Sequence, residues 1–360
     1  MGQNAPHSKL DKLPPLREKV ETIEILRQTN KSSAALAELK GLARTIPNQA
    51  MLINAIVLRE AKDSSEIENI ITTQDELYKA ITINKLKISP ETKEVVNYRK
   101  AIFHGFNITK QQGFLKVKDI VSIQQELVDN KAGIRSTQGT VLKNEKTGEV
   151  IYTPPQDKAD ILDLLSDFIN YFNQNDDDLS PLINLAILHY QFESIHPFYD
   201  GNGRTGRILN ILYLILNGLI EVPILYLSSY IIKNKSDYYR LLNQTNKTGM
   251  WEEWIMFMLK AVENTSKDTI NRISNIKNQL DKTIIKVQTE LPKIYKKELV
   301  ELLFEQPYSK IEFVVNRLNV ERKAASRYLR ELEKINVVES RKVGRETLYI
   351  NRDLIEILKQ

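Results

Sequence analysis

Between residues 20 and 80 apolar side chains recur at three- and four-residue spacings, the period of helices with one buried face, most strongly over 51–70. A further helical region covers about 90–129. The period then falls to two. Thr140, Val141 and Leu142 lead into a polar turn through Lys146, Thr147 and Gly148, and Val150, Ile151 and Tyr152 follow. This predicts a β-hairpin, closed by Pro154 and Pro155. Isolated among helices and polar on one face, it is expected to be an exposed flap with unpaired edges. Helical spacing resumes over 158–172, and Ser180-Pro181 opens a helix through 182–192. The run 208–220 is apolar on almost every side, which predicts a helix buried all round. Residues 231–260 read as helical, with Trp251, Trp254 and Phe257 at packing intervals. Ile270, Ile273, Ile276, Leu280, Ile284 and Val287 trace one face of a long connecting helix.

Past residue 291 a smaller unit is expected. Ser309 and Glu312 stand in capping-box spacing before a helix to Leu318, which Asn319 can end with a positive φ. A second helix covers 321–334. Strand-like segments at 337–340 and 347–350 flank a basic turn around Gly344. Two helices across a tight turn plus a basic hairpin predict a winged helix-turn-helix. The expected fold is mainly α, in four parts: an N-terminal helical domain (1–95), a helical core with the flap (96–262), a connecting helix (263–290) and the winged helix-turn-helix (291–360).

Composition narrows the chemistry. With no cysteine, disulfides, thiolate-held zinc and thiol nucleophiles are excluded. Residues 1–20 are rich in Pro and Lys, are expected to lie extended over the surface, and have no apolar core for a signal peptide. Gly2 invites myristoylation, but Pro6 stands where Ser or Thr is required. The run 208–220 falls short of the ~20 apolar residues of a membrane span. A cytoplasmic protein with no membrane partner is the expectation. The net charge of +5 is uneven: residues 291–360 hold 15 Lys and Arg against 11 Asp and Glu, the first 290 hold 36 against 35. Any attraction to polyanions therefore belongs to the C-terminal part.

The chemistry concentrates in HPFYDGNGRTGR, residues 196–207, just before the buried run. A helix N-terminus offers free N–H groups and a partial positive charge to phosphate. His196 suits general-base duty near neutral pH. Asp200 is a hard oxygen donor fit for Mg²⁺. Gly201 and Gly203 let backbone N–H groups approach phosphate with no Cβ in the way. Asn202 is placed to cap the helix, and Phe198 to plug the loop into the core. Arg204 and Arg207, three apart on one turn, are expected to point to a similar side as forks for a triphosphate tail.

These twelve residues match the pattern HxFx[D/E]GNGRxxR at every fixed position, and the chain thereby resembles the Fic family. The resemblance covers about 99–260, with the preceding segment similar to the helical domain that often accompanies a Fic core. It implies transfer of AMP from ATP, with Mg²⁺, to a Ser, Thr or Tyr hydroxyl of a target protein or of the chain itself, releasing pyrophosphate. It adds Thr205 and Gly206 to the ATP-binding set and makes Asn234 a candidate for the adenine pocket.

Ser64, Glu68 and Asn69 fit the family's inhibitory pattern [S/T]xxxE[G/N]. The expectation is that Glu68 pairs with Arg207 and denies it the γ-phosphate; the same Glu68 is an alternative activator of water for removing AMP from modified proteins. The flap residues Thr140, Val141, Leu142, Val150, Ile151 and Tyr152 offer an edge to an extended target segment. Arg322, Lys323, Ser326, Arg327 and Arg330, with Arg341, Lys342 and Arg345, have the layout of a DNA-reading helix and wing, diluted by Glu321, Glu331, Glu333 and Glu346. A protein partner or a homodimer contact is the alternative use, and a DNA-binding regulator the alternative function.

Overall fold

Two helices that bury nearly every side chain they carry form the centre of the molecule. In the computed structural model, which describes residues 10–46, 48–83, 86–143, 148, 150–174 and 178–359, α8 (Pro181–Ile195) and α9 (Asn202–Leu216) pack against each other. Every residue from Leu182 to Ile195 is buried, and so is all of α9 but Gly203 and its last turn. The buried run thus folds as expected, except that the helix stops at Leu216 and Gly218 turns the chain at φ 63°.

Around this pair lie α1 (Arg17–Val20), α2 (Ile23–Arg44), α3 (Gln49–Ile67), α4 (Gln74–Thr82), α5 (Pro90–Gln112), α6 (Val117–Val128) and α7 (Lys158–Asn173). The region 90–129 is therefore two helices, because Gly113 takes φ 74° and caps α5. The stretch 231–260 is likewise divided into α10 (Ser228–Lys233), α11 (Lys235–Thr248) and the start of α12 (Glu252–Glu290), Gly249 ending α11 at φ 65°. The expected seam between core and connecting helix, at residue 262, lies inside α12. That helix runs unbroken through 39 residues, packing on α2, α8 and α11 before it reaches the last unit. Residues 10–16 precede α1 without helix and lie on the core: Leu13 N–H donates to Asp167 at 2.8 Å, and Gln191 to the Asp11 carbonyl at 2.9 Å.

The flap is a short antiparallel pair, β1 (Leu142–Lys143) with β2 (Val150–Tyr152), Leu142 opposite Tyr152 and a bulge at Leu142–Lys143. Thr140 and Val141 precede the strand rather than belonging to it. Lys146 and Thr147 of the expected turn lie outside the described residues, while Gly148 has φ 70°.

The last unit comprises α13 (Lys297–Glu305), β3 (Tyr308–Ser309), α14 (Ile311–Leu318), α15 (Arg322–Lys334), β4 (Glu339–Val343), β5 (Glu346–Ile350) and α16 (Arg352–Lys359). The sheet order is β3-β5-β4, all antiparallel. Ser309 is not the cap expected of it. It pairs in β3 with Tyr349, Lys310 holds the N-cap position, and no side chain caps α14. Asn319 ends that helix at φ 50°, as expected. No helix among the described residues is long and apolar enough to cross a membrane.

Candidate functional site

The candidate site lies where α8 hands over to α9. His196 caps α8 in the left-handed conformation, φ 48°, its N–H donating to Phe192 O at 3.0 Å. The loop is pinned from below. Phe198 is fully buried and bridges to Ile134, and Arg135 N–H donates to Pro197 O at 3.0 Å. Asn202 does not cap α9 through its side chain. It clamps the loop instead, accepting from Phe198 N and donating to Phe198 O, both at 2.8 Å. The N-cap is Gly201 at φ 80°, and a Cβ there would meet Val128 Cγ1 at 2.9 Å. Backbone conformation and space both demand glycine.

At the first turn of α9 a carboxylate lies against the helix N-terminus. Arg207, 2% exposed, donates Nε to Ser64 Oγ at 2.7 Å and its Nη2 to Glu68 Oε1 at 2.7 Å and to Ser64 O at 3.0 Å. Glu68 lies so close over Gly203 that a Cβ there would stand 2.3 Å from its Oε1. Burial works to raise the Glu68 carboxyl, but the Arg207 charge and hydrogen bond prevail and hold it below the usual carboxylate range. Burial likewise opposes the Arg207 charge, but Glu68 together with Tyr238, Tyr98 and Glu193 outweighs it, so the guanidinium is held above its ordinary value. Ser64, Glu68, Gly203 and Arg207 thus come together as the sequence predicts. Asn69, at φ 63° just beyond α3, accepts from Lys235 Nζ at 3.2 Å.

Arg204 diverges from Arg207, contrary to expectation. Although only three residues apart, it turns away to Glu94 at 2.7 Å and Asp200 at 3.3 Å, and Arg207 turns to α3. Asp200 keeps a 64% exposed side chain, while its carbonyl accepts from Gln124 at 3.0 Å. Among the described residues no group of three or more His, Cys, Asp or Glu side chains could hold a metal unaided. A solvent-facing carboxylate beside the N-terminus of α9 nevertheless fits Mg²⁺, which takes one or two carboxylates and completes its shell with phosphate oxygens and water. Thr205 is buried with its Oγ1 unpartnered among the described residues, and a Cβ on Gly206 would stand 2.7 Å from Glu193 Oε1. Asn234 joins α10 to α11, and its amide is spent on Tyr230 O at 2.9 Å.

Several participants carry no motif. Fully buried Arg135 donates Nε to His196 O at 2.7 Å and Nη2 to the Pro155 carbonyl, which ties the foot of the flap to the loop. Tyr152 is not an exposed flap residue: it is 8% exposed and donates to Ser194 O at 3.0 Å. Glu193 is buried, its Oε1 unpartnered among the described residues; burial, opposed by Arg207, pushes its carboxyl up to about 7. Burial and then the Arg135 charge push His196 down to about 4, so its ring is neutral at pH 7. An acid inside a helix as apolar as α8 is the signal that could have flagged Glu193.

With this geometry in view, three family models match the chain in order: the Fic/DOC family N-terminal region at 26–107, the Fic/DOC family domain at 114–214, and the C-terminal domain of SoFic-like protein adenylyltransferases at 280–354. The chain belongs to the Fic family. The chain is 32% identical over 111 residues to "Protein adenylyltransferase Fic" of Nematostella vectensis, covering 31% of this chain and 24% of that protein. It is 28% identical over 138 residues to "Protein adenylyltransferase fic-1" of Caenorhabditis briggsae, 36% of this chain and 27% of that one. The chain thus spans about a quarter of the length of these curated relatives. The fold extends further than the sequence likeness. A Fic family protein from Desulfovibrio desulfuricans G20 superposes over 92% of this chain and 97% of its own, with TM-score 0.59 and 18% identity. Fic-1 from C. elegans superposes over 71% and 74%, with TM-score 0.53 and 19% identity.

Proposed function

We propose that this Fic protein transfers AMP from ATP to a hydroxyl side chain of a protein, and that Glu68 restrains it. One observation carries the reading: a carboxylate lies on Gly203 and Arg207, where the free N–H groups of α9 and a buried guanidinium offer a seat for phosphate. Glu68 imitates the anion it excludes. With Glu68 withdrawn, Arg207 keeps its two bonds to Ser64 and presents its remaining donors to the end of the triphosphate.

In the transfer, the target oxygen bonds to the α-phosphorus as that phosphorus loses its bond to the oxygen bridging to the β-phosphate. Pyrophosphate departs, and the hydroxyl proton passes to the neutral ring of His196. Asp200 would hold Mg²⁺, which supplies charge neutralisation for the α- and β-phosphates. The chain's remaining work is alignment and electrostatic stabilisation. The free edges of β1 and β2, unpaired among the described residues, would take a target segment as a further strand.

The test is self-labelling by ATP carrying a marked α-phosphate. Glu68→Gly is expected to raise incorporation by roughly tenfold or more, equivalent to about 1.4 kcal/mol, with His196→Ala as the blank. The same variant leaves Arg207 without its carboxylate, so its thermal midpoint should fall without nucleotide and recover with ATP. Incorporation equal to wild type would remove the restraint from the account, and labelling by His196→Ala would remove the base.

A further inference from the structure

The acidic residues interspersed in the last unit make its cationic character look weak, but Glu331, Glu333, Glu339 and Glu346 are internally spent, leaving Glu321 at the N-cap of α15 as the exposed acid beside the helix. Glu331 pairs with Lys334 at 2.7 Å, Glu339 with Arg352 at 2.6 Å and Glu346 with Lys310 at 3.5 Å. Glu333 Oε1 accepts from Ser340 N at 2.9 Å, a bond that also stands β4 against the last turn of α15. The cations are placed otherwise. Arg322, Lys323, Arg327 and Arg330 on α15, with Lys342 and Arg345 at the tip of the β4–β5 hairpin, are exposed and, among the described residues, meet no carboxylate. The opposite side of α15 is buried through Ala325, Leu329 and Leu332.

Charge along α15 is segregated too. Within the helix its first nine residues, 322–330, carry four cations and no acid, and both acids, Glu331 and Glu333, lie in its last turns. A helix with side chains is ~10–12 Å across, and the major groove of B-form DNA is ~12 Å wide. Helix-turn-helix proteins enter that groove with the N-terminal half of the second helix. Here that half holds the unpaired cations, and the hairpin brings two more beside it.

We propose that α15 and the β4–β5 hairpin form a duplex-DNA-binding surface, α15 entering the major groove and Lys342 and Arg345 contacting flanking phosphates. This activity is separate from the α9 site and uses none of its residues. Binding is driven by release of counterions, so it weakens steeply with salt.

The experiment is fluorescence anisotropy of the full chain with a labelled random-sequence duplex at stepped salt. Four to six phosphate contacts predict a slope of log K against log salt of about −4 to −5. Lys323→Glu with Arg327→Glu should weaken binding at least tenfold and flatten the slope by about 2. Lys323→Gln with Arg327→Gln, which removes charge without reversing it, should weaken it in the same direction at an unchanged thermal midpoint. Lys118→Glu, an exposed charge reversal on α6, should bind as wild type does. Three results would overturn the assignment: no salt-dependent retention of duplex by the wild type, an unchanged affinity in the α15 variants, or equal affinity for a single strand or a poly-glutamate peptide.

Discussion

Burial, more than any hydrogen-bonding partner, sets the protonation of His196. Its ring is pushed down to about 4, first by loss of solvent and then by Arg135. In the Glu68→Gly background, kcat/KM for self-labelling should therefore hold level from pH 8 and decline only near pH 4; an acid limb near 6.5 would show a solvated ring. The sign for stability is the same. The folded value lies below the unfolded one, so the unfolded chain binds more protons between about 4 and 6.5. The neutral ring's contribution is complete above 6.5 and is lost as pH falls towards 4. What could be read from sequence here was residue type and spacing: His196, Asp200, the glycines and Arg207 all lie at the α8–α9 junction. What could not be read were partners whose contacts are with backbone. Arg135 serves the carbonyls of Pro155, Ile195 and His196, and no pattern of side chains announces that. Arg204 departs from its expected direction for a related reason: helical spacing sets where a side chain starts, whereas Glu94 on α5 decides where it ends.

The flap combines a fixed foot with a free edge. Tyr152 and Arg135 tie its base to the α8–α9 loop, and its strands find no third partner among the described residues. Val141→Pro removes one N–H just ahead of β1, so labelling of a protein target should fall by roughly fivefold, or about 1 kcal/mol for a lost hydrogen bond. Calorimetric ATP binding should be unchanged; an equal loss in both would mean a misfolded core. Hydrophobic periodicity located most helices well, because α2 and α7 each bury a face that the spacing displays, and α9 is buried almost all round as its unbroken apolar run indicates. It failed where a distant segment decides. Ser309 has the spacing of a capping box, yet Tyr349, forty residues on, takes it into a strand. The boundary expected at residue 262 likewise falls inside α12, which packs on α2 and runs unbroken through it.

The last unit is seated on the helix that carries the restraint. Helix α13 packs on α3, Asn48 donates to Glu305 at 2.6 Å, and Arg59 donates to Leu358 O at 3.5 Å. On α4, Tyr78 meets Tyr308 with ring centroids 5.4 Å apart, and Tyr308 also donates to Asp75. The Arg341–Asp75 pair, 3.7 Å apart and half exposed, adds little, so the buried rings carry this contact. Tyr308→Ala should cost about 3–5 kcal/mol, as for other buried aromatics. It should also speed amide exchange in α3 and α4 while sparing α8; an unchanged α3 would mean that the last unit rests on the core without steadying it. Helix α12 extends this connection across the whole protein as one rod of about 58 Å at ~1.5 Å per residue. Residues 291–296 join it to α13, and α13 and α16 pack back on α12, so anything grasped at its far end is carried at a constant reach from the imidazole, and which hydroxyls come within range becomes a question of length.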